Sequence, residues 1–331
     1  MSYRAYVVDN AGGTFTAGLT TLDESALPPG DVTIGVEWSS VNYKDGLAST
    51  PDGKVVRSYP MVPGVDLAGS VLRSDDPRYR VGDPVVVMGN DIGVAHAGGF
   101  AELARVPGDW VIPLPAGLTT KEAMALGTAG FTAALSIERL EQFGLRPENG
   151  PVIVTGATGG VGSVAVSMLA VRGYTVAAST GKESEGAYLR TLGATEILTR
   201  VEVSGASERS LEKERWAGAI DPVGGATTAY LARTMKYGAS IALSGNTGGA
   251  ALATTVFPFI LRAVNLLGIE AVHCGRETNL RIWERMASDL KPRRLLESIA
   301  SEIDLDGLPG TLADILAGRV RGRTLVRIVP A

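Results

Sequence analysis

Residues 151–163 read PVIVTGATGGVGS, and residues 164–170 continue VAVSMLA. An apolar run of strand length passes through a glycine-rich turn into an apolar run long enough to start a helix. Inside the turn, Ala157, Gly159 and Gly162 fit the spacing A-x-G-x-x-G. That spacing serves a sharp bend off a strand, bare backbone where a pyrophosphate approaches, and a small residue where helix meets sheet. A helix starting near Gly160 would aim its free N–H groups and positive dipole end at those phosphates. Thr158, Gly159, Gly160, Val161 and Gly162 are therefore candidate nucleotide-binding residues.

The surroundings supply the fold that such a turn needs. Thr119 and Glu122 are spaced as a capping box, and residues 121–143 run on as one helix. Strand-like segments follow at 151–156, 174–179, 195–199, 217–223, 239–245 and 265–272, most of them separated by helical stretches. They are continuous apolar runs, as expected of parallel strands buried on both faces. Six such strands predict an α/β, doubly wound parallel sheet. The first third is β-rich instead: Val32, Ile34, Val36 and Trp38 alternate, and 64–73 and 82–89 read as further strands. The C-terminus returns to a helix at 308–320 and a last strand at 322–329.

The chain's 331 residues suit two domains, and 45% apolar with 20% charged residues is ordinary globular composition. Its 42 glycines point to many tight turns, because long apolar runs persist between them. A net charge of −4 gives no footprint for nucleic acid or an anionic membrane as partner. The single Cys274 excludes a disulfide framework within one chain. Asp9 interrupts the N-terminal apolar run at once, which speaks against a signal peptide. The greasy stretch 253–272 is broken by Pro258, Arg262 and Asn265, so it does not read as a spanning helix. A cytoplasmic location is the expectation.

The second strand of the sheet selects the nucleotide. A site for NAD wants Asp or Glu at that strand's end, to accept from the ribose 2′-hydroxyl. This one ends Ser179-Thr180-Gly181-Lys182, small and neutral and then basic. Lys182 can pair with a 2′-phosphate, so NADPH is the expected cofactor. Glu183 could take the acidic role one or two places late, and Lys182 could be only a solvated residue at a helix start.

With these residues in hand, the chain resembles the medium-chain dehydrogenase/reductase superfamily over nearly its whole length. The resemblance is strongest to the zinc-free, quinone-oxidoreductase-like branch and, within it, to bacterial acryloyl-CoA reductases. It is carried by SSVNYKDGLA (39–48), YPMVPGVDLAG (59–69), GGFAELARVPGDW (98–110), GTAGFTA (127–133), VTGATGGVGS (154–163), LEKERWAGAIDPVGG (211–225), TTVFPFILR (254–262) and GRTLVRI (322–328). The resemblance implies a GroES-like β-barrel catalytic domain, 1–121 and 272–331, with a Rossmann NADP-binding domain, 122–271, inserted between its parts. It further implies a homodimer, joined through the last Rossmann strand near Leu266–Glu270. Zinc-dependent relatives carry His-Glu where this chain has Val65-Asp66, and draw a cysteine ligand from the stretch held here by Asn42-Tyr43. Only His96, His273 and Cys274 remain as soft donors, and His96 reads as a loop residue, so no metal is expected.

The chemistry expected is conjugate reduction of a short acyl-CoA, acryloyl-CoA to propionyl-CoA, with NADPH-dependent reduction of a quinone or enone as the alternative. Hydride goes to the β-carbon, charge spreads onto the carbonyl oxygen, and a proton then reaches the α-carbon. Asn42, Tyr43 and Lys44 are the candidate catalytic residues. By resemblance Tyr43 lies against the nicotinamide, either donating from its phenol with Lys44 beside it or only packing there. Asp45 reads as a helix cap, a partner of Lys44 or an actor in the chemistry, and Asp66 as structural. The resemblance also assigns Thr128 and Thr132 to the cofactor cleft, Arg200 to the adenosine ribose, Gly245, Asn246 and Thr247 to the nicotinamide ribose, and Arg323 to the cofactor's vicinity. Lys54 and Arg57 are either contacts for CoA phosphates or plain surface charges.

Overall fold

The computed structural model describes residues 2–328, so the expected end of the last strand, Val329, lies outside the described residues. Two compact units divide the described residues: one takes those up to 128, 272–287 and those from 295 on, and the other takes 129–271 with 288–294.

The first unit opens with a hairpin, β1 (Ser2–Asp9) and β2 (Thr16–Asp23). Then come β3 (Val32–Val41), α1 (Tyr43–Ala48), β4 (Asp66–Ser74), β5 (Pro84–Met88), β6 (Leu103–Val106) and β7 (Val111–Pro113). The long helix α2 (Thr120–Gln142) leaves this unit. Strands β3 to β7 build a seven-stranded sheet with β14 (Ala300–Asp304) and β15 (Arg323–Arg327), which come from the far end of the chain; the order is β14-β15-β3-β4-β5-β7, with β6 also on β3. Its core gathers Val32, Ile34, Val36, Leu67, Val85, Val87, Phe100 and Val106. The alternation expected through Trp38 stops early. The β3–β4 register shifts between Val36 and Trp38, leaving Trp38 half-buried and turning the polar pair Ser39-Ser40 inward.

The second unit is a six-stranded sheet of β8 (Val152–Val154), β9 (Val176–Thr180), β10 (Glu196–Thr199), β11 (Trp216–Asp221), β12 (Met235–Leu243) and β13 (Asn265–Gly268). All five pairings are parallel, in the order β10-β9-β8-β11-β12-β13. The chain winds outward from β8 and then restarts at β11, so the order reverses between two central strands. That is the doubly wound topology expected, and ligands of such sheets sit beyond the strand ends at this reversal. The crossovers use α3 (Gly160–Val171), α4 (Gly186–Thr191), α5 (Gly225–Thr234) and α6 (Phe257–Arg262). Central strands β8, β9 and β11 are buried throughout, whereas β13 alternates and ends at Gly268, earlier than its apolar sequence suggested. Its place at the sheet edge accounts for that, since one flank has no neighbouring strand. The rest of the chain adds α7 (Arg276–Ala287), α8 (Leu295–Ser298) and α9 (Leu308–Leu316).

The helix expected over 121–143 is broken. Gly127 has φ 51° and ψ −157°, a conformation that favours glycine, so α2 is two helical pieces meeting there. The capping box at its start is present, with Glu122 accepting from Thr119 N at 2.9 Å. No helix is long and apolar enough to cross a membrane, among the described residues.

Candidate active site

In the second unit, the glycine-rich turn has the geometry its spacing promised. Gly156 takes φ 54°, Ala157 N bonds Ser179 O at 2.9 Å, and Gly159 precedes the first turn of α3. A Cβ on Gly162 would come 2.4 Å from Gly156 O, so only glycine lets α3 lie this close to the turn. Gly159, Gly160 and Val161 are partly exposed, and Ser163 N is the first to bond back along the helix, to Gly159 O at 2.9 Å. The N–H groups just before it open α3 as a helix N-terminus that suits a pyrophosphate.

At the end of β9, Ser179 and Thr180 are buried, and no acidic residue occupies the strand end. Thr180 Oγ1 lies 3.1 Å from Thr158 Oγ1 and accepts from Lys182 N at 3.0 Å, which ties the glycine-rich turn to the strand end. Arg200 N bonds Thr180 O, and the Arg200 guanidinium lies over Gly181, where a Cβ would meet it at 2.5 Å. Lys182 thus follows the strand end directly, with the Arg200 guanidinium beside Gly181. Glu183 is exposed in the short helical turn that follows. Gly245 has Pro222 O 2.3 Å from where its Cβ would be, Asn246 and Thr247 are exposed, and Thr132 is buried. These residues fit a dinucleotide: bare backbone at a helix N-terminus, neutral strand end, and two cations beside it.

In the first unit, α1 presents the other candidates. Tyr43 is its first residue and is 46% exposed; Lys44 is exposed as well. Asn42 caps the helix and is buried, with both ends of its amide engaged. Its Nδ2 donates to Asp66 Oδ2 at 2.9 Å, and its Oδ1 accepts from Arg323 Nη1 at 3.1 Å. Asp66 is wholly buried, accepting also from Ser40 Oγ at 2.6 Å and from Thr128 N at 2.9 Å. The last bond caps the second piece of α2 just past the break at Gly127. Arg323, 2% exposed, is held by Val41 O, Asn42 and Ser40, and burial keeps its guanidinium below the usual arginine range. A Cβ on Gly127 would lie 2.8 Å from Arg323, Asp66 and Ser40 alike. One buried polar cluster thus joins the end of β3, the start of α1, the break in α2 and the start of β15.

Asp45 completes it. Its carboxylate accepts from Asn42 N at 2.8 Å, Val65 N at 3.0 Å and Gly64 N at 3.2 Å. Burial, and then the neighbouring Asp66 charge, push it up to about 7 against those donors. Of the cap and Lys44-partner readings, the structure shows the cap. Asp66, read from the sequence as structural, holds the cluster together through Ser40, Asn42 and Thr128. His96 is engaged elsewhere, with Nε2 2.7 Å from Arg105 O and its ring edge-on to Trp110. Arg57 pairs with Asp91 at 3.0 Å, and Lys54 is exposed. Among the described residues, no group of three or more His, Cys, Asp or Glu is placed to hold a metal ion.

Residues 28–116 match the alcohol dehydrogenase GroES-like domain family, and residues 160–288 match the zinc-binding dehydrogenase family. The chain is 52% identical over 328 residues to acrylyl-CoA reductase AcuI of Ruegeria pomeroyi, covering 98% of this chain and 99% of that protein. It is 49% identical over 326 residues to YhfP of Bacillus subtilis, named provisionally as a quinone oxidoreductase, covering 98% and 99%. The YhdH oxidoreductase of Salmonella enterica, solved in complex with NADP, superposes with a TM-score of 0.95 at 48% identity, covering 98% of this chain and all of that one.

Proposed function

The chain belongs to the medium-chain dehydrogenase/reductase superfamily, and on that premise we propose that this oxidoreductase uses NADPH to reduce the C=C bond of a short α,β-unsaturated acyl-CoA, acryloyl-CoA to propionyl-CoA. The observation that carries the substrate is the 52% identity, over nearly full length, to a relative named acrylyl-CoA reductase. The cofactor rests on the glycine-rich turn with Lys182 and Arg200 at the neutral end of β9, and on the NADP-bound YhdH relative.

NADPH held there would supply the hydride for the β-carbon. The protein's own work is to hold the nucleotide, exclude water and manage the charge left on the thioester oxygen and α-carbon. The free N–H groups of α3 hold the pyrophosphate; Lys182 and Arg200 hold the 2′-phosphate. Tyr43 donates from its exposed phenol and delivers the α-proton, Lys44, also exposed, follows it on the first turn of α1, and Asn42, locked by Asp66 and Arg323, fixes that turn. No metal takes part in this reading: Val65-Asp66 replaces the ligand pair, and the Asp66 carboxylate is committed to Ser40, Asn42 and Thr128.

The alternative is an NADPH:quinone or enone oxidoreductase, favoured by the naming of YhfP. Steady-state NADPH oxidation with acryloyl-CoA beside a panel of quinones and simple enones separates the two. A higher kcat/KM for acryloyl-CoA is expected; a clear preference for quinones transfers the assignment. The working unit is proposed to be a homodimer joined at the open edge of β13, acting in the cytoplasm.

A further inference from the structure

Asp221 ends strand β11 and is wholly buried. Its Oδ1 accepts from Thr155 Oγ1 at 2.6 Å, Val223 N at 2.9 Å and Gly224 N at 3.2 Å; its Oδ2 accepts from Thr228 Oγ1 at 2.5 Å. These donors come from different places. Thr155 directly follows β8 and precedes Gly156 of the glycine-rich turn, whereas Thr228 lies in α5. The residues after Asp221 reach both candidate nucleotide loops. A Cβ on Gly156 would lie 3.1 Å from Val223 Cγ2, and one on Gly248 would lie 2.7 Å from Val223 Cγ1. Backbone bonds complete the bracket: Ser244 N to Asp221 O at 3.0 Å, and Gly248 N to Val223 O at 2.7 Å.

We infer that Asp221 is a positioning residue for the nucleotide: it fixes the glycine-rich turn and the 244–249 loop in one register, so that both are built before the nucleotide arrives. The inference rests on the NADPH reading above. A carboxylate in dry protein persists only when donors surround it, and two of these donors are side-chain hydroxyls on separate elements. An apolar residue would fill the same space without fixing where Thr155 lies. The carboxylate instead sets the turn's first residue through a short charge-assisted bond, and the turn's second residue packs on Val223. Because both loops meet the same two residues, a shift of Asp221 moves them together. The geometry of a binding site depends on such supporting bonds at the scale of tenths of an ångström.

Single-arm variants test this, read by NADPH fluorescence titration, by kcat and KM at saturating substrate, and by Tm. Thr155→Val deletes only the arm to the glycine-rich turn, and should raise the Kd for NADPH about tenfold, with the loss in KM for NADPH rather than in kcat. Thr228→Val deletes only the arm to α5; it should lower Tm while Kd stays within about twofold of the native protein. Asp221→Asn, which keeps an acceptor for Thr155, should bind NADPH more tightly than Asp221→Leu. If Asp221→Leu does not fold, the two threonine variants still decide. Unchanged Kd in Thr155→Val, or equal weakening in Thr228→Val, overturns the inference. A native protein that does not bind NADPH overturns the cofactor reading beneath it, a result that the variants cannot mimic.

Discussion

Tyr43 and Asp45 sit two residues apart on the first turn of α1 and have opposite environments. The tyrosine is half exposed, while the aspartate is buried among backbone donors and holds the turn in place. If Tyr43 supplies the α-proton, Tyr43→Phe lowers kcat by about 10²–10⁴ with NADPH affinity unchanged. A loss below about threefold, seen in single-turnover reduction of the acyl-CoA, would reduce Tyr43 to a packing role and leave water as the donor. Asp45 makes a prediction about stability. Its value in the folded protein is about 7, above the ~3.9 of an unfolded aspartate. The folded state therefore keeps this proton longer, and the stability it contributes is full below about pH 4 and lost as pH rises through about 7. The native-minus-Asp45→Asn difference in unfolding free energy should fall across that window, measured by urea denaturation. A flat difference would mean that Asp45 is ionised throughout.

Elements show what the sequence could and could not disclose. The glycine-rich turn, the parallel strands and the capping box of α2 were legible because each is a local pattern: a spacing, an apolar run, a pair three residues apart. The break at Gly127 was not, because a helix-favouring run surrounds it and the cause is distant. Asp66, sixty-two residues away, caps Thr128 N. The bulge that turns Ser39 and Ser40 inward was hidden in the same way, since the partners of those serines lie on β4 and β15. Asp221 went unread although its stretch was singled out, as its donors Thr155 and Thr228 belong to other elements. The outermost element carries a prediction of its own. Strand β13 has an open edge, and the α6 region before it exposes Val256, Phe257, Ile260 and Leu261. An apolar patch beside an unpaired edge is a liability that a second copy removes by two-fold pairing. Light scattering at micromolar concentration should give a dimer, and Ile260→Asp should shift it toward monomer. A native monomer would contradict the proposed edge pairing.

At the scale of the whole molecule, each of the two units carries one part of the proposed reaction: the parallel sheet has the glycine-rich turn proposed for the dinucleotide, and the β-rich unit has the exposed Tyr43 and a buried Asp66–Arg323 pair. The similarity to acrylyl-CoA reductase AcuI carries the acyl-CoA reading, that to provisionally named quinone oxidoreductase YhfP carries the alternative, and each spans 98% of the chain. The bonds made in the product separate them. The most direct measurement is NMR of the product formed from acryloyl-CoA, once with NADPH deuterated at the transferred position and once with ordinary NADPH in deuterated water. The account predicts propionyl-CoA carrying the cofactor's deuterium at the β-carbon and the solvent's deuterium at the α-carbon. NADPH consumed under quinone but no labelled propionyl-CoA, or cofactor deuterium at the α-carbon, would contradict it.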